Sequence, residues 1–125
     1  MTPRVIKAEP SSEYFFEEGC YILELSNSAS DPGLSIARAR LTPGTATQPH
    51  KLLQTIERYI ILSGSGEVFL DKQKPVSVSA NDVVLIPENC SQWIRNTGED
   101  DLLFMVLCTP RFVTDNYSEC DQSNA

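Results

Sequence analysis

The feature that most constrains the fold of this chain is a succession of short β-rich runs separated by clusters of turn residues. Nowhere does a stretch long enough for an ordinary helix show a helical period, and only 11–16 is expected to form a helical turn. Close spacing of short strands and turn signals is typical of a β-sandwich or β-barrel, so the sequence predicts an all-β fold. The predicted strands are 20–25, 34–41, 57–62, 67–70, 76–79, 83–86, 91–96 and 102–108.

The length of 125 residues predicts one domain, 1–125, with the barrel at about 20–112 and an N-terminal arm and a polar C-terminal tail outside it. A formal net charge of −7 argues against nucleic acid and anionic membrane as partners. The N-terminal segment turns polar where a signal peptide would be apolar, so we expect a cytoplasmic location. The four cysteines are expected to be reduced, with Cys20 and Cys108 packed as small apolar strand residues.

A first set of regularly spaced residues lies in the middle of the chain. Gly44 is followed by five residues and then by His50-Lys51-Leu52; four residues separate Leu52 from Glu57, and six separate Glu57 from Gly64. The set ends at Gly64 within Ser63-Gly64-Ser65-Gly66, a tight-turn signal between two predicted strands.

A second set follows it along the chain. Asn81 is followed by five residues, Pro87, Glu88 and Asn89, and then by Gln92 and finally Asn96. Both Asn81 and Asn89 stand where a tight turn is expected. Because Asn is one of the few residues besides Gly that tolerate a left-handed backbone, we expect positive φ at both positions.

Together these two sets resemble the two motifs of the cupin superfamily, Gly-x5-His-x-His-x3-4-Glu-x6-Gly and Gly-x5-Pro-x-Gly-x2-His-x3-Asn. The spacing matches throughout, but Leu52 stands in place of the second histidine and Gln92 in place of the third. The chain is also similar to a branch of small cupins with His-x-Leu, Gln and a Cys-Thr-Pro-Arg-Phe ending, which is present at 108–112. The resemblance implies a double-stranded β-helix (jelly-roll) barrel and a homodimer.

In metal-binding cupins the corresponding side chains point into the barrel and hold a divalent metal. The resemblance therefore implies a reduced ligand set of His50, Glu57 and Gln92, with Zn, Mn, Fe or Ni as the candidate metals. His50 is the only histidine of the chain. It would alternatively be the ion-pair partner of Glu57 in a metal-free barrel, and Gln92 would hydrogen-bond a bound molecule.

Strand alternation predicts which side chains line the lumen, meaning the inside of the barrel. Glu57, Tyr59 and Ile61 share one face of their strand, and Gln92 shares a face with Ile94. By analogy with the family's alternation, the last strand adds Met105, Leu107 and Thr109. The expected pocket-lining residues are Leu52, Tyr59, Ile61, Ile94, Met105 and Leu107.

The opposite alternation places Arg38 and Arg40 outside the lumen, in solvent or at a subunit contact. Trp93 is likewise expected to face outward, where it is a candidate for an interface between subunits.

Glu57 is the candidate catalytic residue. Among apolar neighbours the pKa of its carboxyl is expected to rise, which suits proton transfer near neutral pH. A buried carboxylate neutralised by His50 is the structural alternative.

Three functions remain open, all involving a small organic molecule in the lumen. The leading hypothesis is a metal-dependent enzyme of the dioxygenase, isomerase or lyase type. The second is a metal-free binding protein, acting as a sensor or carrier. The third is a metal-free isomerase or lyase with Glu57 as the base.

Overall fold

The computed structural model describes residues 1–120, and apart from two three-residue 3-10 turns, Pro10–Ser12 and Thr114–Asn116, its regular elements are strands. The strands are β1 Tyr14–Phe16, β2 Cys20–Ser26, β3 Ser35–Leu41, β4 His50–Leu52, β5 Ile56–Ser63, β6 Ser65–Leu70, β7 Val76–Ser79, β8 Val83–Ile86, β9 Gln92–Asn96, β10 Leu102–Thr109 and β11 Tyr117–Glu119. Neither turn in residues 1–120 has the length or hydropathy of a helix that could cross a membrane.

Two antiparallel sheets form the fold. One contains six strands in the order β1-β2-β3-β10-β5-β8, and the other contains five in the order β11-β4-β9-β6-β7. Inward-facing side chains of the two sheets, including Ala39, Leu41, Ile61, Ile94 and Phe104, form one buried cluster. The prediction of an all-β double-stranded β-helix is confirmed.

Gly64 is the point at which the chain leaves one sheet for the other. It separates β5 from β6, which belong to different sheets, so the tight-turn signal at 63–66 does not close a hairpin within one sheet. Its φ is +89°, and a Cβ at this position would lie 2.7 Å from the carbonyl oxygen of Asp101. Glycine is therefore required both for the backbone conformation and for the close approach.

The two asparagines of the second motif adopt the conformation expected from the sequence. Asn81 has φ 76° and Asn89 has φ 63°. Asn96 closes the same motif through its amide, which donates to the carbonyls of Leu41 and Asp100. The Asn substitutions therefore preserve the turns of the barrel.

Both terminal segments take part in the sheets, which differs from the sequence-based boundaries. β1 pairs with β2 and occupies 14–16, which is half of the range expected to form a helical turn. In this part of the chain only the 3-10 turn at Pro10–Ser12 is helical. β11 pairs with β4, whereas the tail after 112 was expected to lie outside the barrel. These strands are short, three residues each, and such strands carry almost no periodic signal. The last part of that tail, 121–125, lies outside the described residues.

Candidate functional site

A cavity of about 50 Å³ lies between the sheets and is lined by residues of both. Carboxyl groups and a histidine, Glu18, Glu24, Glu57 and His50, contribute to its wall. The remaining lining is largely apolar and includes the aromatic side chains Tyr14, Phe16, Tyr59, Phe104, Phe112 and Tyr117. An apolar pocket with a few convergent polar groups is the usual form of a small-molecule site.

His50 begins β4 and is 1% exposed. Its Nδ1 lies 2.7 Å from the carbonyl oxygen of Gln48, which can only accept a hydrogen bond, so Nδ1 carries a proton. Its Nε2 lies 3.0 Å from the Glu18 carboxylate. That contact needs a second proton between the two groups, and the ring also stacks on Tyr117 at 5.2 Å between centroids.

Glu18 is the charged partner of His50, and the sequence did not predict it; the lining residues Phe16, Glu24 and Tyr117 of the terminal segments were not predicted either. It lies in the turn between β1 and β2, where Gly19 has φ +105° and a Cβ would lie 3.1 Å from the carbonyl oxygen of Ala46. The backbone N–H of Gln48 donates to the backbone carbonyl of Glu18 at 2.6 Å, and this hydrogen bond fixes the turn beside β4. A Glu-Glu-Gly turn between two β-rich runs was the only available signal, and it does not reveal a contact with a strand so distant along the chain.

Glu57 is the buried carboxyl group of the cavity, on β5 and 7% exposed. Oε1 accepts a hydrogen bond from the amide of Gln92, and the Cys108 thiol lies 3.9 Å from Oε2. Burial raises the pKa of Glu57 to about 7, His50 opposes this rise, and the negative charge of Glu18 adds to it. The side chain is therefore poised to gain or lose a proton near neutral pH.

Gln92 links Glu57 to a second group. Its amide oxygen accepts a hydrogen bond from the hydroxyl of Tyr59, while its NH₂ faces the carboxylate. Both Gln92 and Tyr59 are buried. Because a neutral amide satisfies both neighbours in this orientation, the three side chains form one closed buried network.

These contacts bear on the expected metal site. The available His50 nitrogen faces Glu18, and Gln92 turns its oxygen to Tyr59 and its NH₂ to Glu57, so the three predicted ligands do not offer free donor atoms to a common centre. Across residues 1–120, no three His, Cys, Asp or Glu side chains are grouped so that they could hold a metal ion. The donor set of His50, Glu57 and Gln92 does not fit a bound transition metal in this arrangement.

The inward face predicted for β4, β5 and β9 agrees with the structure, and the face predicted for β10 does not. Leu52 and Tyr59 line the cavity, and Ile61 and Ile94 point inward but are sealed in the core at 0% exposure. On β10, the residues that line the cavity are Phe104, Val106 and Cys108.

Met105 and Leu107 therefore lie on the outer face of β10, and the prediction that they line the pocket is wrong. Cys108 pairs directly with Glu57 and Val106 with Tyr59, and paired residues of adjacent strands point to the same side of a sheet. Because 102–108 is apolar on both faces, its sequence does not reveal which face is inward.

The residues expected outside the lumen lie there. Arg40 pairs with Glu13 at 2.7 Å and Asp101 at 3.3 Å, and Arg38 lies 3.8 Å from Glu13. Trp93 stacks on Phe69, with ring centroids 3.6 Å apart. The two arginines are thus held in ion pairs with residues of the same chain.

The four cysteines are free thiols. Cys20 and Cys108 are buried strand residues, as expected, and burial raises the pKa of both thiols. In this form they are weak nucleophiles, so we assign them to packing and hydrogen bonding.

Known proteins resemble this chain in two ways, two of them in sequence and one in three-dimensional structure. The oxalate-binding protein of Thermotoga maritima is 41% identical over 71 residues, which is 57% of this chain and 58% of the relative, so the match spans less than two thirds of that protein. An uncharacterised protein of Methanocaldococcus jannaschii is 30% identical over 116 residues, or 90% of this chain and 92% of the relative. The structure is also similar to that of Pac13 of Streptomyces, a nucleoside dehydratase, with a TM-score of 0.75 and 17% identity over 91% of this chain and 89% of the other.

A family model described as the cupin domain matches residues 37–108, which contain both spaced motifs, the strands from β4 to β9 and all but the last residue of β10. The match covers more than half of the chain, and the sheet order and buried Glu57 agree with it. The chain belongs to the cupin family.

Proposed function

We propose that the protein is an isomerase or lyase that moves protons on a small organic molecule bound in the cavity, with Glu57 as the base. One observation carries the proposal: a buried carboxyl group forms part of the cavity wall, and its pKa is about 7. Efficient proton transfer needs a group whose pKa lies near the working pH. No step of the proposal requires a metal.

In the reaction we propose, the ionised Glu57 takes a proton from a carbon of the substrate. In an isomerisation the same proton returns to another atom of the substrate. In an elimination the leaving oxygen takes a proton from the His50–Glu18 pair, which shares one at a 3.0 Å contact in the same cavity. The products are then an alkene and water, and the two groups are restored by proton exchange with solvent.

Gln92, Tyr59 and Cys108 act as positioning residues. Gln92 donates to one oxygen of the carboxylate, and the Cys108 thiol lies 3.9 Å from the other. Tyr59 fixes the orientation of the Gln92 amide. A carboxylate with its rotamer fixed in this way presents one geometry to a substrate, which favours proton transfer.

The proposal is tested by hydrogen–deuterium exchange. Molecules that stabilise the protein in a thermal-shift screen are incubated with it in D₂O, and NMR follows their carbon-bound protons and any product. We expect Glu57→Gln to bind these molecules and to lose exchange and turnover by at least a hundredfold. Glu99→Gln, an exposed carboxyl group outside the cavity, is the matched control. Equal exchange by wild type and Glu57→Gln would refute the proposal.

Binding without chemistry is the second candidate function. The relative that is 41% identical over 71 residues is an oxalate-binding protein, and this similarity favours a binding role. Saturable binding of oxalate by the wild type with no turnover of any bound molecule is the result that would support it.

We also propose a homodimer formed through the outer face of the six-stranded sheet. Met105 lies opposite Ile60 on this face, and Val83 and Leu85 continue it at 58% and 67% exposure. An apolar sheet face of this kind is typical of an interaction surface.

The cytoplasmic location stays a prediction; four free thiols agree with a reducing compartment.

A further inference from the structure

We propose that the molecule bound in the cavity is a small organic cation, such as an amine or a quaternary ammonium compound, held between aromatic rings and carboxylates. This inference deepens the proposed function and rests on it, because it assigns a chemical class to the substrate. Nothing in the reaction chemistry of Glu57 requires a positive charge on the substrate, so the two proposals are separable by experiment.

The aromatic part of the argument is a cluster around Phe16. Its ring makes edge contacts with Tyr14, Phe112 and Tyr117, at centroid distances of 6.4, 6.2 and 5.3 Å. All four side chains line the cavity and come from the two terminal segments that complete the barrel. Rings grouped around a space in this way attract cations through their electron-rich faces, which is how proteins recognise ammonium groups.

The charge of the cavity wall points to the same class of molecule. Three carboxyl groups, Glu18, Glu24 and Glu57, and one histidine line the cavity, so acidic side chains outnumber basic ones there. Within the described residues the lining contains no Lys or Arg; Arg111 is close enough to act on Glu24, but its Nε donates to Asn27. A cation is therefore attracted to this wall, and an anion meets like charge.

A buried hydroxyl group adds an unused polar contact. The phenol oxygen of Tyr117 is buried and has no hydrogen-bond partner among residues 1–120, although the ring lines the cavity and stacks on His50. Buried polar atoms are normally satisfied by protein, water or ligand. A hydroxyl or ammonium N–H of a bound molecule would satisfy this oxygen.

Glu24 lies on β2 at the exposed end of this wall. Its carboxylate lies 3.4 Å from the Tyr14 hydroxyl, so a carboxylate and an aromatic ring meet at one point of the lining. Because Glu24 is exposed and takes no part in the Glu57 network, its charge can be removed without disturbing the proposed base.

The test compares two molecules of one shape and different charge, with a dicarboxylate as the anionic reference. Choline is titrated into the full-length protein by calorimetry, beside 3,3-dimethylbutan-1-ol, in which carbon replaces the charged nitrogen, and beside oxalate. We expect choline to bind at least tenfold more tightly than the alcohol and oxalate to give no saturable binding. Glu24→Gln is expected to weaken choline binding about tenfold and to leave the alcohol unchanged, whereas Glu99→Gln changes neither.

Equal affinity for choline and the alcohol, absence of choline binding, or preferential binding of oxalate would each overturn the cation proposal. Phe16→Leu, checked for folding by circular dichroism, is a second variant, and an unchanged choline affinity in it would also count against the proposal. These outcomes are independent of the exchange experiment on Glu57, because they measure affinity and not proton transfer.

Discussion

The carboxylate of Glu18 lies 3.0 Å from Nε2 of His50, joining the turn between β1 and β2 to the start of β4. This contact occupies the nitrogen that the sequence-based metal hypothesis assigned to an ion. It also ties the N-terminal segment to the cavity, since the backbone of Glu18 accepts a hydrogen bond from Gln48 at 2.6 Å. The only histidine of the chain is therefore held by protein groups on both ring nitrogens.

The first prediction concerns this pair. Glu18→Gln removes the charge opposite a buried imidazole and should lower the free energy of unfolding by about 1–3 kcal/mol. Urea denaturation at pH 7 measures the loss. Glu17→Gln, the exposed neighbour in the same turn, should cost less than about 0.5 kcal/mol. A loss of equal size in both variants would mean that the His50 contact contributes nothing specific.

Much of the fold was predictable because its determinants are local. The strands from β2 to β10, apart from the three-residue β4, follow from β-rich runs and turn residues, and the positive φ of Asn81 and Asn89 follows from the tolerance of Asn for that conformation. Alternation also grouped Glu57 and Tyr59 on one face of β5, and the resemblance to cupins implied that this face points inward, as it does.

The remainder depends on contacts that no local pattern encodes. Glu18 reaches His50 through a turn whose position is fixed by hydrogen bonds to a distant strand. Met105 and Leu107 were placed inward because β10 is apolar on both faces, so only pairing with β5 fixes its phase. The metal hypothesis assumed that ligand types at the right spacing have free donor atoms, and that assumption fails when neighbours such as Tyr59 occupy those atoms.

The second prediction follows from the proton held by Glu57. Its folded-state pKa of about 7 lies above the value of about 4.5 for the unfolded chain, so the folded protein binds the proton more tightly. Stability from this group is fully present below about pH 4.5 and is lost as the pH rises through about 7, a change of about 3 kcal/mol.

Urea denaturation between pH 4.5 and 8 tests this dependence. Glu57→Gln should remove most of the decline in stability across that range, while Glu99→Gln should keep it. The rate of proton exchange should run the opposite way and rise through about pH 7, because the base must be ionised. A stability profile that is the same in wild type and Glu57→Gln would contradict the assigned ionisation.

The third prediction concerns metal. Elemental analysis of protein purified without a histidine tag should find less than about a tenth of an equivalent of Zn, Mn, Fe or Ni, because His50 and Gln92 are engaged by Glu18 and Tyr59. Leu52→His with Gln92→His places imidazoles at the two positions that depart from the cupin motifs. This double variant should take up close to one equivalent of Ni or Zn. One equivalent of metal in the wild type, lost in His50→Ala, would reinstate the metal-dependent hypothesis.

The fourth prediction concerns the outer face that contains Met105 and Leu107. Met105 lies opposite Ile60 on β5, and Ile60 lies opposite Val83 on β8, so an apolar strip runs across three strands, with Leu85 beside Val83 on β8 at 67% exposure. Burying such a strip against its copy in a second chain is favourable at about 25 cal/mol per Å², and a charge in the middle of the contact opposes association.

We therefore expect wild type to sediment as a dimer and Leu85→Arg as a folded monomer. Val76→Arg, on β7 of the other sheet at 53% exposure, is the matched control and should remain dimeric. If wild type is a monomer, or if both variants dissociate alike, this face is not the contact, and Trp93 on the second sheet becomes the surface to test.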